Sequence, residues 1–132
     1  ENEHPTFDQF SIINPIIICD VIKKFCIDDR INLKFPNDIF LNGKKICGFL
    51  QEVINIENRK FLIVGIGLNI ESNPNIYSEY KATNILLETK KKPAINEIVN
   101  LIISSYENFF SKLSIYNYED FKKKANLMAL NL

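Results

Sequence analysis

Only four glycines occur among the 132 residues of this chain, and all of them fall between positions 43 and 67. A strand interior is a costly place for glycine, which loses the most conformational freedom on folding and packs no side chain. Yet three of the four interrupt apolar runs that read as strands: Gly48 in residues 45–56, and Gly65 and Gly67 in residues 61–70. What glycine offers there is bare backbone that another group can approach closely. Lys34, Asn37, Asp38, Lys44, Lys45 and Asn69 flank the same runs. The pattern constrains the chain to a sheet with a ligand site laid onto it.

The rest of the chain supports a sheet with helices. Ile31, Leu33 and Phe35 alternate with Asn32 and Lys34, which predicts a strand, and Pro36 ends it because proline cannot donate to a ladder. Residues 39–41 predict a second short strand. Asn42-Gly43 is the strongest short hairpin signal, since both central residues of that turn want positive φ. Residues 45–56 return as a longer strand and Glu57-Asn58-Arg59 turns the chain again. Residues 61–70 then form an almost wholly apolar strand, expected to be buried on both sides apart from its glycines. Upstream, residues 1–13 are weakly patterned. Asn14 and Pro15 read as the cap and first residue of a helix over 15–27, carrying Ile18, Val21, Ile22 and Phe25 at helical spacing. Residues 71–94 read as mostly loop. Apolar residues from Ile95 to Leu113 trace one face of a helix of about five turns. Asn117 is placed to cap a last short helix carrying Phe121 and Leu127. With no repeat or linker, residues 1–132 read as one α+β domain, its helices packed on one face of a mixed or mostly antiparallel sheet.

A turn centred between Glu57 and Asn58 sets Gly48 opposite Gly67, Leu50 opposite Gly65 and Ile46 opposite Asn69. Gly65, Gly67 and Asn69 are two apart and share a face, which Gly48 joins. The expected result is a trough with no side chains across its floor, in which an apolar tail could lie. The plainer reading is that the glycines mark bulges or sheet twist, but three clustered on one face favour a ligand. By strict alternation Lys45 points away from that face. For Lys45 and Gly48 to meet one ligand, the strand must twist or bulge near Lys44; otherwise Lys45 is a solvated hairpin lysine. Lys34, Asn37 and Asp38 surround Pro36. They suit either a magnesium–phosphate site or an Asx-turn, and the spacing does not choose between them.

Composition narrows the function classes. Lys+Arg and Asp+Glu are both 16, so a neutral chain has no general electrostatic claim on nucleic acid or an anionic membrane. The basic runs at 90–92 and 122–124 read as solvated faces. Three cysteines argue against a disulfide framework. Cys19 and Cys26 read as core thiols, a zinc site is disfavoured with His4 the single histidine, and a reducing, cytoplasmic compartment is expected. No apolar run reaches a membrane span and no basic-then-apolar leader opens the sequence.

Three segments in order carry a family resemblance: Lys34-Phe35-Pro36-Asn37-Asp38, Lys44-Lys45-Ile46-Cys47-Gly48 and Gly65-Ile66-Gly67-Leu68-Asn69. Together they resemble the catalytic domain of biotin protein ligases, with its Lys-Trp-Pro-Asn-Asp motif, its lysine-bearing hairpin strand and its Gly-x-Gly-x-Asn strand. Ala82-Thr83-Asn84-Ile85 resembles the family's Ala-Thr-Ser-Leu segment. The resemblance implies ATP-dependent activation of biotin to biotinyl-AMP, then transfer to a lysine of a biotin carboxyl carrier protein. It implies a catalytic role for Lys45 and a backbone wall along biotin at Gly48, Gly65 and Gly67, with Leu50 beside it. Lys34, Asn37, Asp38 and Asn69 would serve ATP, with Asp38 toward Mg2+. Phe35 stands where the family has Trp. The family's Gly-Arg-Gly-Arg-x-Gly loop is not found in residues 1–14, nor is its C-terminal barrel or a DNA-binding helix-turn-helix found. The sequence therefore resembles the later part of the catalytic domain, as a fragment, a truncated product or half of a split enzyme. An exposed sheet edge and possible homodimer are expected from that. The alternatives are a catalytically dead ligand-binding domain, a lipoate–protein ligase relative, and a generic α+β domain.

Overall fold

The computed structural model describes residues 4–73 and 80–130. Four antiparallel strands, β1 (Ile31–Lys34), β2 (Asp38–Leu41), β3 (Lys44–Ile56) and β4 (Arg59–Leu68), lie side by side in chain order. The two hairpins that fix their register share one turn chemistry. Asn42 and Gly43 have φ of 51° and 78°, and Glu57 and Asn58 have φ of 48° and 64°. Positive φ at both central residues gives a turn whose twist matches that of the flanking strands. The Phe35–Pro36 peptide between β1 and β2 is cis. Gly48 pairs with Gly67 and Leu50 with Gly65, as the centred turn requires. Asn69 continues the ladder, its N–H donating to the Ile46 carbonyl at 2.9 Å.

Helices cover one face of this sheet: α1 (Phe10–Phe25), α2 (Ile85–Thr89), α3 (Ile95–Ser111) and α4 (Tyr118–Met128). Leu33, Ile39, Cys47 and Phe49 of the sheet pack against Ile18, Cys19 and Ile22 of α1, Ile98 of α3 and Ala125 of α4. Asn117 caps α4 as expected, accepting from Glu119 N at 2.9 Å. After α4 the chain returns to β1, where Leu130 N donates to the Leu33 carbonyl at 2.7 Å and closes that edge of the sheet.

Two sequence expectations are corrected. The first helix starts at Phe10, not at residue 15, so Pro15 lies inside it and Asn14 is no cap. Phe10, Ile13 and Ile17 form a second apolar cluster with Tyr116, and that burial carries the helix through the proline. Asn14 is fully buried; its Nδ2 donates to Gln51 Oε1 at 2.9 Å and its Oδ1 accepts from the Tyr106 hydroxyl at 2.7 Å. Residues 71–94, read as mostly loop, hold the short α2, whose start is capped by Asn84 Oδ1 accepting from Leu87 N at 2.8 Å. Finally, β4 is not buried on both sides. It is an edge strand with one covered face, so Leu62, Val64, Ile66 and Leu68 are partly buried while Phe61 and Ile63 are 45% and 47% exposed. Among the described residues no helix is long and apolar enough to cross a membrane.

Candidate active site

The sheet face away from the helices carries the glycines, and a β-bulge determines what joins them. Asp38 pairs with Gly48 and Ile39 with Cys47, but Phe40 pairs with Lys45, so Ile46 is an extra residue on β3. One extra residue reverses the alternation of side chains before it. Ile46 and Cys47 are both buried, and Lys45 comes to the same face as Gly48. This is the bulge the sequence required for Lys45 to meet the trough, two residues after Lys44. The Lys45 ammonium lies 3.1 Å from Asp38 Oδ1. A Cβ built on Gly48 would sit 3.5 Å from both Lys45 Cε and Nζ, so the lysine stem lies along bare backbone.

The bulge falls on an isoleucine, and among the glycines only Gly43 has positive φ. The backbone at Gly48, Gly65 and Gly67 therefore does not demand glycine. Nor does internal packing: added Cβ atoms would lie 3.6 Å from the Leu50 carbonyl at Gly65 and 3.7 Å from the Gly48 carbonyl at Gly67, ordinary contact distances. What their absence of side chains creates is a flat apolar floor on the open face, walled by Leu50, which is 78% exposed.

The other expected site residues lie around one end of this floor. Lys34 is the cross-strand neighbour of Asp38. Its ammonium bonds the Tyr80 hydroxyl and stands 3.7 Å from that ring's centroid, and Tyr80 in turn packs edge-on against Phe40 at 5.3 Å. Asn37 is exposed in the turn, its carbonyl accepting from Phe49 N at 2.9 Å. Asp38 pairs with Lys45 instead of folding back on its own backbone in an Asx-turn. Asn69 closes the end, its Nδ2 donating to the Thr83 carbonyl at 3.1 Å and leaving the amide oxygen as an acceptor. The sequence reading missed Tyr80, and noted Thr83 only within the family-like segment 82–85, because residues 71–94 show no periodicity that would place them on the sheet.

The buried thiols stand apart from this face. All three cysteines are free and buried, and burial pushes Cys19 up to about 12 and Cys26 up to about 11, so neither is a thiolate at neutral pH. Among the described residues no three His, Cys, Asp or Glu side chains converge as a metal cage. A cavity of about 470 Å3 opens among α1, α3 and α4, on the opposite side of the molecule from the glycines. The Lys124–Asp20 pair, 3.8 Å apart, lines it, but no glycine does, whereas the Lys45–Asp38 pair lies over the bare backbone of Gly48.

Residues 10–69 match the biotin/lipoate A/B protein ligase family. Biotin–protein ligase 2 of Arabidopsis thaliana is 34% identical over 98 residues, 70% of this chain and 28% of that protein. The bifunctional ligase/repressor BirA of Bacillus subtilis is 43% identical over 49 residues, 36% of this chain and 15% of that protein. Among solved structures, the Aquifex aeolicus biotin protein ligase in complex with biotin and ATP is similar at a TM-score of 0.73 and 25% identity, over 94% of this chain and 52% of that one. The chain thus spans about half the length of that ligase and a smaller share of the curated relatives. Its match runs from the first helix through the last glycine-bearing strand, and it is these residues, 10–69, that are similar to the biotin/lipoate A/B protein ligase family.

Proposed function

We propose that this chain carries the biotin- and adenylate-binding face of a biotin protein ligase. In the first step an oxygen of the biotin carboxylate attacks the α-phosphorus of ATP, giving biotinyl-AMP and pyrophosphate. In the second, a lysine amine of a biotin carboxyl carrier protein attacks the mixed anhydride, AMP leaves, and the amine nitrogen loses a proton. Both steps gather negative charge at one carboxyl–phosphate junction. A positive group fixed at that junction, in a site partly shielded from water, stabilises what develops there.

The observation that carries this reading is the bulge at Ile46, which turns Lys45 onto the glycine face beside Asp38. Biotin's aliphatic tail would lie along Gly48, Gly65 and Gly67 with Leu50 at its side, its carboxylate toward Lys45. Lys34, Asn37, Asp38 and Asn69 would take the nucleotide. Mg2+ favours one or two carboxylates plus phosphate oxygens over an all-protein cage. Asp38, a single carboxylate at the phosphate end of the trough, fits that demand and would hold the ion. Bound there, Mg2+ would neutralise phosphate charge. The relative solved with biotin and ATP supports both ligands for this fold. Three free buried thiols suit a reducing, cytoplasmic setting.

The test is incubation with biotin, ATP and magnesium, with biotinyl-AMP measured by mass spectrometry. Adenylate is expected from the wild-type chain, with a rate lowered about 10²–10³-fold in Lys45→Ala, the scale for losing one charge-stabilising donor. A folded chain that makes no adenylate, or a Lys45→Ala variant as fast as wild type, contradicts the proposal and favours a catalytically dead binding domain.

A further inference from the structure

Lys45 is gripped through its backbone on the side away from β2. Its N–H donates to the Lys81 carbonyl at 2.9 Å, and its carbonyl accepts from Thr83 N at 2.9 Å. Residues 81–83 thus run parallel to the start of β3, taking over where the β3–β4 ladder ends beside Asn69. Thr83 is fully buried, and its hydroxyl donates to Glu88 Oε1 on α2 at 2.6 Å. The same carboxylate reaches the turn that precedes Lys45. Its Oε2 accepts from Asn42 Nδ2 at 3.3 Å, and Oε1 lies 3.6 Å from Lys44 Nζ. Glu88 therefore joins the two pieces of chain that flank Lys45, the hairpin turn before it and the strand-like segment beside it. Its side chain is 13% exposed. The Thr83 hydroxyl, ahead of Asn42 and Lys44, holds the carboxylate below its usual range, against the opposing effect of burial.

We infer that Glu88 is a positioning residue for Lys45: by tying Thr83 to the Asn42–Lys44 turn it fixes the strand end from which the Lys45 ammonium reaches over Gly48. Glu88 touches neither the trough nor the Lys45 ammonium, so its effect on chemistry passes through Thr83, which holds the Lys45 backbone and accepts from Asn69 Nδ2. The inference rests on the assignment of Lys45 under Proposed function, but its geometric half stands apart from activity. A shift of about 1 Å in a reacting group can cost on the order of 10²-fold in rate, so a loosened strand end would be felt.

The experiment compares wild type, Glu88→Gln, Thr83→Val and Thr83→Ser of the full chain. Glu88→Gln keeps the size and removes the charge; Thr83→Val keeps the shape and removes the hydroxyl; Thr83→Ser restores it. Amide hydrogen exchange at Lys45 and Thr83 is expected to quicken about tenfold or more in Glu88→Gln and Thr83→Val, and to stay near wild type in Thr83→Ser. The Glu52 and Ile63 amides, a hydrogen-bonded pair of the β3–β4 ladder, should not change. Adenylate formation should lose about tenfold in kcat in the first two variants, with KM for biotin and ATP within about twofold. Unchanged exchange at Lys45 and Thr83 in Glu88→Gln, or equal quickening across the whole ladder, overturns the inference. A wild-type chain that makes no adenylate overturns the functional proposal instead, and the exchange result then decides the role of Glu88 by itself.

Discussion

Gly67 has no backbone reason to be glycine. Its φ is not in the left-handed region, and an added Cβ would meet only the Gly48 carbonyl, at 3.7 Å. Replacing strand glycine by alanine reduces the entropy lost on folding and is worth roughly 0.5–1 kcal/mol. Gly67→Ala is therefore expected to hold or raise the denaturation midpoint while weakening biotin binding, because its methyl group rises into the trough. Calorimetric titration with biotin beside urea unfolding checks both halves. A variant that is destabilised yet binds normally would make the glycine a device of sheet geometry. The Lys45–Asp38 pair needs a matching sense of proportion. Its side chains are 40% and 26% exposed, and an ion pair that open contributes about 1 kcal/mol or less. Its value lies in where it holds the ammonium.

At the scale of elements, the two β-turns are the firmest local structures and the most legible ones. Asn42-Gly43 is written in residues that accept positive φ, but Glu57-Asn58 adopts the same turn with a glutamate at φ 48°. A non-glycine residue held there costs roughly 1 kcal/mol or more. Replacing the pair by Asn-Gly is expected to stabilise the chain by about 1 kcal/mol in urea unfolding, with no change in ligand affinity. Loss of stability would mean that Glu57 has a partner its turn position hides. The two hairpins, the Gly48–Gly67 register and the need for a bulge were all legible, because alternation and turn chemistry are local. The bulge's place at Ile46 was not, since it depends on how β2 packs. The start of α1 was misread for a related reason: Asn14-Pro15 is a good local helix start, and only contact with Gln51 and Tyr106, 37 and 92 residues away, shows why Asn14 is buried instead. That residues 34, 37, 38, 45, 48, 65, 67 and 69 lie on neighbouring strands and turns was legible from spacing and turn chemistry. Tyr80 and Glu88 were not, because they come from a segment without periodicity, and Thr83 entered only through the family-like segment 82–85.

At the scale of the molecule, the sheet is unevenly protected. The β1 edge is closed by Ala129 and Leu130, whereas among the described residues β4 ends the strand order and exposes Phe61 and Ile63 beside Leu50. A long apolar edge offers unpaired backbone groups to another chain. The 132-residue chain is expected to self-associate in sedimentation velocity as its concentration rises, and Ile63→Lys is expected to reduce that association. A monodisperse monomer at all concentrations would show the edge to be protected. The central claim is that the open glycine face is where biotin and its adenylate bind. Four glycines give four backbone amide signals that are simple to follow by 15N-resolved NMR. Titration with a non-hydrolysable biotinyl-adenylate analogue should shift Gly48, Gly65 and Gly67 together with Lys45, and leave Ser105, Asn108 and Lys124 around the helix-side cavity unmoved. Shifts confined to that cavity, or none at the three strand glycines, would contradict the account.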